Sequence, residues 1–224
     1  MSPLILDPAT TALLVVDMQN DFCEEGGYYA GVGGGVGPVQ SIIPPIQFLL
    51  EAARENGVFV LYTAITYQPA DRGVPTDLTE LHSLLPDTFG AYESRLLTGT
   101  WGAQIIDRLT PRSNEIVLEK PNYSVFYQTQ LEALLRRRGI RTVVLTGAAT
   151  NGCIIHSAYD AFVRDLDVVL VEDGVMSYWP ELHDAAMAIM GAMIGPIVPS
   201  RDLVAAFGNR APIPAGSSKD GAAL

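Results

Sequence analysis

The chain has 224 residues and a formal net charge of −11 at pH 7, and its residues are 48% hydrophobic but only 17% charged. This length suits one large domain with a substantial core, and the negative charge argues against a nucleic-acid partner. No apolar run reaches the length of a membrane span, and the first residues lack the pattern of a secretion signal. The two cysteines, Cys23 and Cys153, do not make a disulfide framework. We therefore expect a cytoplasmic protein without a membrane partner.

Strand-like and helix-like segments alternate along the chain. Apolar and β-branched runs predict strands at 11–17, 57–64, 115–119, 141–147, 167–172 and near 193–198. Longer segments predict helices at 38–56, 102–109, 128–139, 154–165 and 181–191. Gly57 and Gly139 stand where helix C-caps commonly lie. This alternation is typical of a doubly wound parallel α/β sheet with helices on both faces.

The remaining segments predict the domain organisation. We expect one domain over residues 1–210 and a mobile tail over 211–224, which is rich in Gly, Ala and Ser. Residues 26–37 form a glycine-rich loop that lacks the Gly-Lys-Ser/Thr ending of a phosphate-binding loop. Prolines and weak periodicity over residues 68–99 predict a long functional loop or lid. The low charged fraction and the apolar helices predict a homodimer or homotetramer.

Cys153 is the first candidate for chemistry, because it follows a predicted strand and opens a predicted helix. Unpaired backbone N–H groups at a helix start stabilise a thiolate, so we expect a lowered pKa for this thiol. The small residues at 147–149 and 152 let the backbone approach a substrate closely, as an oxyanion hole requires. The alternative is a buried structural cysteine, which is common for free cysteines.

Two charged residues stand at the ends of other predicted strands. Lys120 is one of only two lysines in a chain with twelve arginines, and lysine is the cation whose pKa shifts readily on burial. Asp17 ends the first predicted strand, and open α/β sheets bind ligands at the carboxyl ends of their strands. The alternatives are a surface ion pair for Lys120 and a helix N-cap for Asp17.

Taken together, three segments resemble the isochorismatase-like cysteine hydrolase family. They are residues 14–22 (LVVDMQNDF), 119–126 (EKPNYSVF) and 146–153 (TGAATNGC), and the resemblance extends to about Phe207. It implies a catalytic triad of Asp17, Lys120 and Cys153. It also implies a cis peptide between Ala148 and Ala149, with the N–H groups of Ala149 and Cys153 as the oxyanion hole.

The resemblance also suggests a chemistry. It implies that Cys153 attacks an amide carbonyl, that ammonia leaves, and that water hydrolyses a thioester. No metal or other cofactor is needed in this scheme. Members that hydrolyse nicotinamide have an Asp-x-His metal site after the second strand, whereas residues 61–67 here contain no histidine. Members that hydrolyse isochorismate lack the nucleophilic cysteine.

The predicted substrate is a small carbamoyl or ureido amide, because the motifs are most similar to family members that act on biuret, triuret, N-carbamoylsarcosine and ureidoacrylate. Alternatives are another small amide, such as a maleamate- or nicotinamide-like one, or a non-catalytic binding protein on this fold. We expect substrate contacts from six positions in or near the motifs: Gln19, Phe22, Thr66, Ala148, Tyr123 and Phe126.

The roles of Gln19 and of three further residues stay open. Arg72 and Arg95 lie in the predicted lid and are candidates for binding a substrate carboxylate, with solvent-exposed loop arginines as the alternative. Gln19 is expected to orient the triad through hydrogen bonds. His156 lies one helical turn after Cys153, where a Cys-His pair is conceivable and a packing or substrate contact is favoured.

Overall fold

The computed structural model describes residues 4–31, 35–67 and 95–208. Arg72, most of the predicted lid and the predicted tail at 211–224 lie outside these residues, so the domain boundary at 210 stays a prediction.

Six parallel strands form one sheet, as the alternation predicts. They are β1 (Thr11–Val16), β2 (Phe59–Ile65), β3 (Ile116–Lys120), β4 (Thr142–Ala148), β5 (Asp167–Met176) and β6 (Ile197–Val198), in the order β3-β2-β1-β4-β5-β6. The two central strands, β1 and β4, are almost entirely buried because their apolar runs are covered on both faces. The strand order reverses between β1 and β4, and such a reversal opens a crevice at the carboxyl ends of the strands.

Helices cover the sheet. They are α1 (Asn20–Cys23), α2 (Gly37–Asn56), α3 (Leu131–Arg137), α4 (Ile155–Phe162), α5 (Pro180–Met193) and α6 (Ser200–Gly208). The long helix α2 packs its apolar side against β5 and α6. It ends at Gly57, which adopts the left-handed conformation (φ 73°) that its predicted C-cap role requires. No helix in the described ranges is both long and apolar enough to cross a bilayer.

The predicted helix at 102–109 is wrong. The structure has two short 3₁₀ turns there, Trp101–Ala103 and Asp107–Leu109. Between them the carbonyl of Gln104 accepts from Asn20 N–H (2.9 Å), and the N–H of Ile106 donates to Met18 O (3.0 Å). These backbone groups bond to the segment after β1 and are not available for a helical ladder.

Other boundaries also differ from the predictions. Helix α3 occupies only part of the predicted 128–139, since Gln128 takes a left-handed conformation (φ 53°) before it. Strand β5 continues beyond the predicted residue 172 after a register shift against β4. Helix α6 was not predicted at all, although it packs on α2 and contributes the buried Phe207.

An ion pair fastens α2 to the start of β3. Arg54 donates from Nε to Glu115 Oε1 and from Nη2 to Oε2, both at 2.8 Å, and Nη2 also donates to the Tyr62 hydroxyl (3.1 Å). Burial alone raises the pKa of the Glu115 carboxyl, but the hydrogen bonds from Arg54 and from the Arg112 backbone N–H outweigh it. The net result is a lowered pKa, which means that the folded protein favours the ionised carboxylate.

We predict that Glu115→Gln lowers the free energy of unfolding at neutral pH by about 1–3 kcal/mol, because it leaves a nearly buried guanidinium without its carboxylate. Because the pKa of Glu115 is lowered in the folded protein, this stabilisation is fully present at pH values above the ordinary pKa of glutamate. It is lost as the pH falls below that value. Denaturant titration measures the change. The matched control is Glu132→Gln, whose exposed ion pairs should contribute less than about 1 kcal/mol. Equal effects in the two variants would contradict the assignment.

Candidate active site

Three strand ends bring Asp17, Lys120 and Cys153 together beside the crevice. Asp17 follows β1, Lys120 ends β3, and Cys153 lies in the turn after β4. The ammonium Nζ of Lys120 is 2.7 Å from Asp17 Oδ2 and 3.3 Å from Cys153 Sγ. All three residues are buried, with exposed fractions of 0%, 1% and 5%. The sequence prediction that these residues converge is therefore confirmed in the geometry, and their catalytic roles stay a prediction.

The backbone fixes the direction of the Asp17 carboxylate. Asp17 has φ 52°, in the left-handed region that aspartate tolerates better than most residues. Its N–H donates to Thr63 O (3.1 Å) on the neighbouring strand, and the Thr63 hydroxyl donates to Oδ1 (2.8 Å). One carboxylate oxygen is thus held by Thr63, while the other faces the Lys120 ammonium.

Lys120 is an ammonium ion surrounded by acceptors. Besides Asp17 and Cys153, its Nζ donates to the backbone carbonyls of Asn122 (2.9 Å) and Tyr123 (3.0 Å) in the turn after β3. Burial alone lowers the pKa of this lysine, but the charges of Asp17 and Cys153 and the hydrogen bonds to them raise it overall. The alternative of a surface ion pair is wrong, since the side chain is inaccessible to solvent.

The pKa of the Cys153 thiol is shifted in the direction opposite to the one that the sequence predicts. Burial, and then the neighbouring Asp17 carboxylate, raise its pKa, and the Lys120 cation only partly offsets them. The lowering of the thiol pKa that a helix start would cause does not outweigh these effects. Cys153 lies in a π-helical turn, Thr150–Ile154, and Gly152 within it departs from helical geometry (φ −121°, ψ −106°). Burial and the nearby carboxylate therefore favour the protonated form of the thiol.

The chain between β4 and Cys153 lies close to β1. The Ala148–Ala149 peptide is cis, as the family resemblance implies. Gly147 has φ 116°, and a Cβ there would lie 2.1 Å from the Val16 carbonyl oxygen, so this contact requires glycine. Ala149 and Cys153 both line the adjacent cavity. Their N–H groups as the oxyanion hole stay a prediction.

A cavity of about 180 Å³ lies against Cys153. One wall is a stack of aromatic rings. The ring centroid of Tyr29 lies 4.7 Å from that of Phe22 and 5.3 Å from that of Tyr178. The Tyr178 hydroxyl donates to the Phe22 carbonyl (2.6 Å), and burial raises the pKa of this phenol, which therefore stays neutral. The lining is largely apolar, so charges inside it interact strongly.

The structure places three of the predicted substrate contacts in the lining of this cavity, namely Phe22, Tyr123 and Arg95. Arg95 is only 3% exposed, so the alternative of a solvent-exposed loop arginine is wrong for this residue. Arg72 lies outside the described residues.

Four other predicted substrate contacts are not among the described residues that line the cavity, and each has another environment. The Gln19 side chain hydrogen-bonds to the backbone of Ile65 and Ala103, so it holds two segments together, and none of these hydrogen bonds goes to the Asp17 carboxylate. The Thr66 hydroxyl donates to Glu119 on the exposed side of β3 (3.3 Å). Phe126 lies beneath the Arg164 guanidinium (4.9 Å), and Ala148 is completely buried in β4.

The remaining candidates do not join the triad. His156 is exposed, and its Nδ1 lies 2.8 Å from the Gly152 carbonyl, so the conceivable Cys-His pair does not form. Cys23 is buried in the core, where burial raises the pKa of its thiol. Within the described ranges, no three His, Cys, Asp or Glu residues are grouped as a metal site would require.

Sequence reasoning missed several residues of the lining. Tyr29, Tyr67, Leu96, Asn151, Tyr178 and Trp179 come from separate segments of the chain. Only Asn151, two residues before Cys153, stood in a motif that could have identified it. The others are aromatic or apolar residues that a sequence alone assigns equally well to the core.

The comparisons with known proteins agree with this geometry. The profile of the Isochorismatase domain matches residues 11–202. The chain is 35% identical to the ureidoacrylate amidohydrolase RutB of Methylobacterium radiotolerans, over 98% of this chain and 88% of that protein. The RutB of Caulobacter vibrioides is 33% identical, over 94% of this chain and 96% of that protein. The solved N-carbamoylsarcosine amidase from Thermoplasma acidophilum is 30% identical, with a TM-score of 0.65 over 85% of this chain and 95% of that one. The chain therefore belongs to the Isochorismatase domain family.

Proposed function

We propose that the protein is a cysteine amidohydrolase that releases ammonia from a small carbamoyl or ureido amide. The observation that carries this proposal is the Lys120 ammonium in contact with both Asp17 and Cys153 beside a small cavity. An acid–base group, a thiol and a fixed cation are the parts that thiol-dependent amide hydrolysis requires. The names of the relatives, ureidoacrylate amidohydrolase and N-carbamoylsarcosine amidase, support the choice of substrate class.

The first step of the proposed mechanism uses the raised pKa of Cys153. The thiol proton passes to the Asp17 carboxylate as Sγ attacks the carbonyl carbon, and the C=O bond becomes C–O⁻. Lys120 stabilises the negative charge that moves from Asp17 to the sulfur during the transfer. The N–H groups of Ala149 and Cys153 stabilise the oxyanion.

The second step expels ammonia. The protonated Asp17 returns its proton to the leaving nitrogen, the C–N bond breaks, and a thioester-type bond joins the carbonyl carbon to Cys153. Asp17, ionised again, then takes a proton from a water molecule as the water oxygen attacks the same carbon. The C–S bond breaks, and Asp17 returns this proton to the departing sulfur, which regenerates the thiol and the carboxylate. Side chains and water supply every proton and bond in this scheme, and we propose that no metal or other cofactor takes part.

We also propose that the protein acts in the cytoplasm as a homo-oligomer. The exposed surfaces of α4 and α5 support assembly with a second copy. Six large apolar side chains on or just beyond these helices are 44–71% exposed, namely Tyr159, Phe162, Val163, Leu182, Ile189 and Met193. Neighbouring apolar side chains on two packed helices are typical of subunit interfaces.

A panel of small amides with an ammonia assay tests the nucleophile. Cys153→Ser should lose at least about a thousandfold in ammonia release, because a neutral hydroxyl is a far weaker nucleophile than a thiol. Cys23→Ser is the matched control and should retain most activity, since that cysteine is buried in the core. A Cys153→Ser enzyme that releases ammonia at a comparable rate would exclude covalent thiol catalysis.

The rate of Cys153 alkylation as a function of pH tests the charges around the thiol. In a Cys23→Ser background, Lys120→Met should move the onset of alkylation to higher pH, because it removes the cation that favours the thiolate. Asp17→Asn should move the onset to lower pH, because it removes the anion that raises the thiol pKa. Both variants should be severely impaired in turnover. Unchanged alkylation profiles would mean that neither charge acts on the sulfur.

Light scattering tests the assembly. The wild-type protein should have a mass of two or four times 24.1 kDa, and Ile189→Glu combined with Met193→Glu should reduce it to a monomer by placing charges on the apolar surface. The control is Glu51→Gln, on the exposed side of α2. A monomeric wild-type protein at micromolar concentration would refute the proposed assembly.

A further inference from the structure

The turn after β3 supplies two of the hydrogen-bond acceptors that hold the Lys120 ammonium. They are the backbone carbonyls of Asn122 and Tyr123, which lie 2.9 Å and 3.0 Å from Nζ. A hydrogen bond weakens quickly when its distance or direction departs from the ideal, so the position of these carbonyls determines where the ammonium lies. We call residues 122–126 the acceptor turn.

Helix α4 holds the acceptor turn in place with two side chains. The Ser124 hydroxyl donates to Asp160 Oδ2, and the Val125 N–H donates to Ser157 Oγ (3.1 Å). Ser157 and Asp160 are three residues apart and therefore lie on the same face of α4. The Ser124 Oγ also accepts from the Phe126 N–H (3.1 Å), so it bonds both to the helix and to the backbone of its own turn. Ser124 is only 8% exposed and Ser157 is completely buried.

The Asp160 carboxylate is itself held in a defined orientation. Arg164 donates from Nη1 to Asp160 Oδ1 (3.1 Å) and to the Asp160 carbonyl (2.8 Å), and from Nε to Glu132 Oε2 (3.0 Å). The same guanidinium lies over the ring of Phe126, with Cζ 4.9 Å from the ring centroid. One carboxylate oxygen thus faces Arg164, and the other accepts from Ser124.

The same helix also follows directly from the catalytic thiol. Cys153 lies in the π-helical turn Thr150–Ile154, and α4 begins at the next residue, Ile155. Helix α4 is therefore linked at its start to the sulfur and further along to the turn that holds the ammonium. The distance of 3.3 Å between Lys120 Nζ and Cys153 Sγ joins the two ends of this connection.

We infer that Ser124 and Asp160 are positioning residues, whose hydrogen bond fixes the acceptor turn and thereby the Lys120 ammonium beside the Cys153 sulfur. The catalytic consequence rests on the proposed function. The ammonium stabilises the negative charge that reaches the sulfur, and this stabilisation falls when the two groups move apart. Neither Ser124 nor Asp160 is among the described residues that line the catalytic cavity, so both act through Lys120.

The test measures the rate of Cys153 alkylation as a function of pH, without substrate and in a Cys23→Ser background. Ser124→Ala should move the onset of alkylation to higher pH and slow the reaction about threefold or more at a fixed pH, because a displaced cation favours the thiolate less. The same variant should lower kcat about tenfold for any amide that the wild-type enzyme hydrolyses. The matched control is Ser41→Ala, on the exposed side of α2, which should change neither quantity.

A double variant shows whether Ser124 acts through the ammonium. In a Lys120→Met background, Ser124→Ala should cause no further shift of the alkylation profile, since two changes that act through one group are not additive. A purely structural role of Ser124 would lower the free energy of unfolding and leave the profile of the single variant unchanged. An effect independent of Lys120 would add a second shift in the double variant. Either result would overturn the inference.

Variants of Asp160 keep the inference testable if Ser124→Ala does not fold. Asp160→Ala removes the acceptor of the Ser124 hydroxyl and should move the onset of alkylation to higher pH, whereas the loss of a negative charge alone would move it to lower pH. Asp160→Asn keeps an amide oxygen that can accept from Ser124, so its profile should lie closer to that of the wild type. A shift to lower pH in Asp160→Ala would contradict the positioning role.

The alkylation profiles separate this inference from the proposed function, because they need no substrate. If no amide of the panel releases ammonia and Ser124→Ala still shifts the profile, the proposed function fails and the positioning role is supported. If the wild-type enzyme releases ammonia and the profile of Ser124→Ala equals that of the wild type, the positioning role alone fails.

Discussion

The rest of the site depends on one buried ammonium ion. Lys120 reaches Asp17 and Cys153 at the same time, and it can do so only because three parallel strands end at the same edge of the sheet. A buried lysine is costly unless its charge is paired and its protons are all bonded. The carboxylate and the two carbonyls after β3 meet that requirement. The sulfur is the remaining neighbour, and it is the atom whose charge is expected to change during the reaction.

The acidity of the thiol follows from the same arrangement. A thiolate beside the Asp17 carboxylate would place two negative charges next to each other in an apolar surrounding, so the folded protein favours the protonated thiol. A protonated thiol favours a mechanism in which the proton leaves the sulfur during the attack on the substrate, and it disfavours a mechanism that starts from a preformed thiolate. The apolar lining of the cavity therefore also affects the chemistry. It strengthens the interaction of Lys120 with the negative charge that moves from the Asp17 carboxylate to the Cys153 sulfur.

The features that the sequence predicted correctly are those that depend on short segments of the chain. Apolar runs located the strands, glycines located two helix ends, and the charged residues at strand ends located the triad. The signals failed where tertiary contacts decide the structure. The segment at 102–109 has a helical pattern, but its backbone bonds to the loop after β1. Gln19 lies two residues after Asp17 and was expected to orient the triad, yet its amide hydrogen-bonds to the backbone of two neighbouring segments. The pKa of Cys153 was predicted with the wrong direction, since a sequence shows a helix start but not the burial around it.

The proposed mechanism requires that Cys153 forms a covalent bond to the carbonyl carbon of the substrate. Rapid mixing of enzyme and substrate, acid quenching within one turnover and mass spectrometry of the Cys153 peptide test it most directly. We expect a transient adduct on Cys153 whose added mass equals that of the substrate minus ammonia, formed as ammonia appears and lost as the product appears. Ammonia released in the first turnover without any adduct on Cys153, under conditions that trap a thioester, would contradict it.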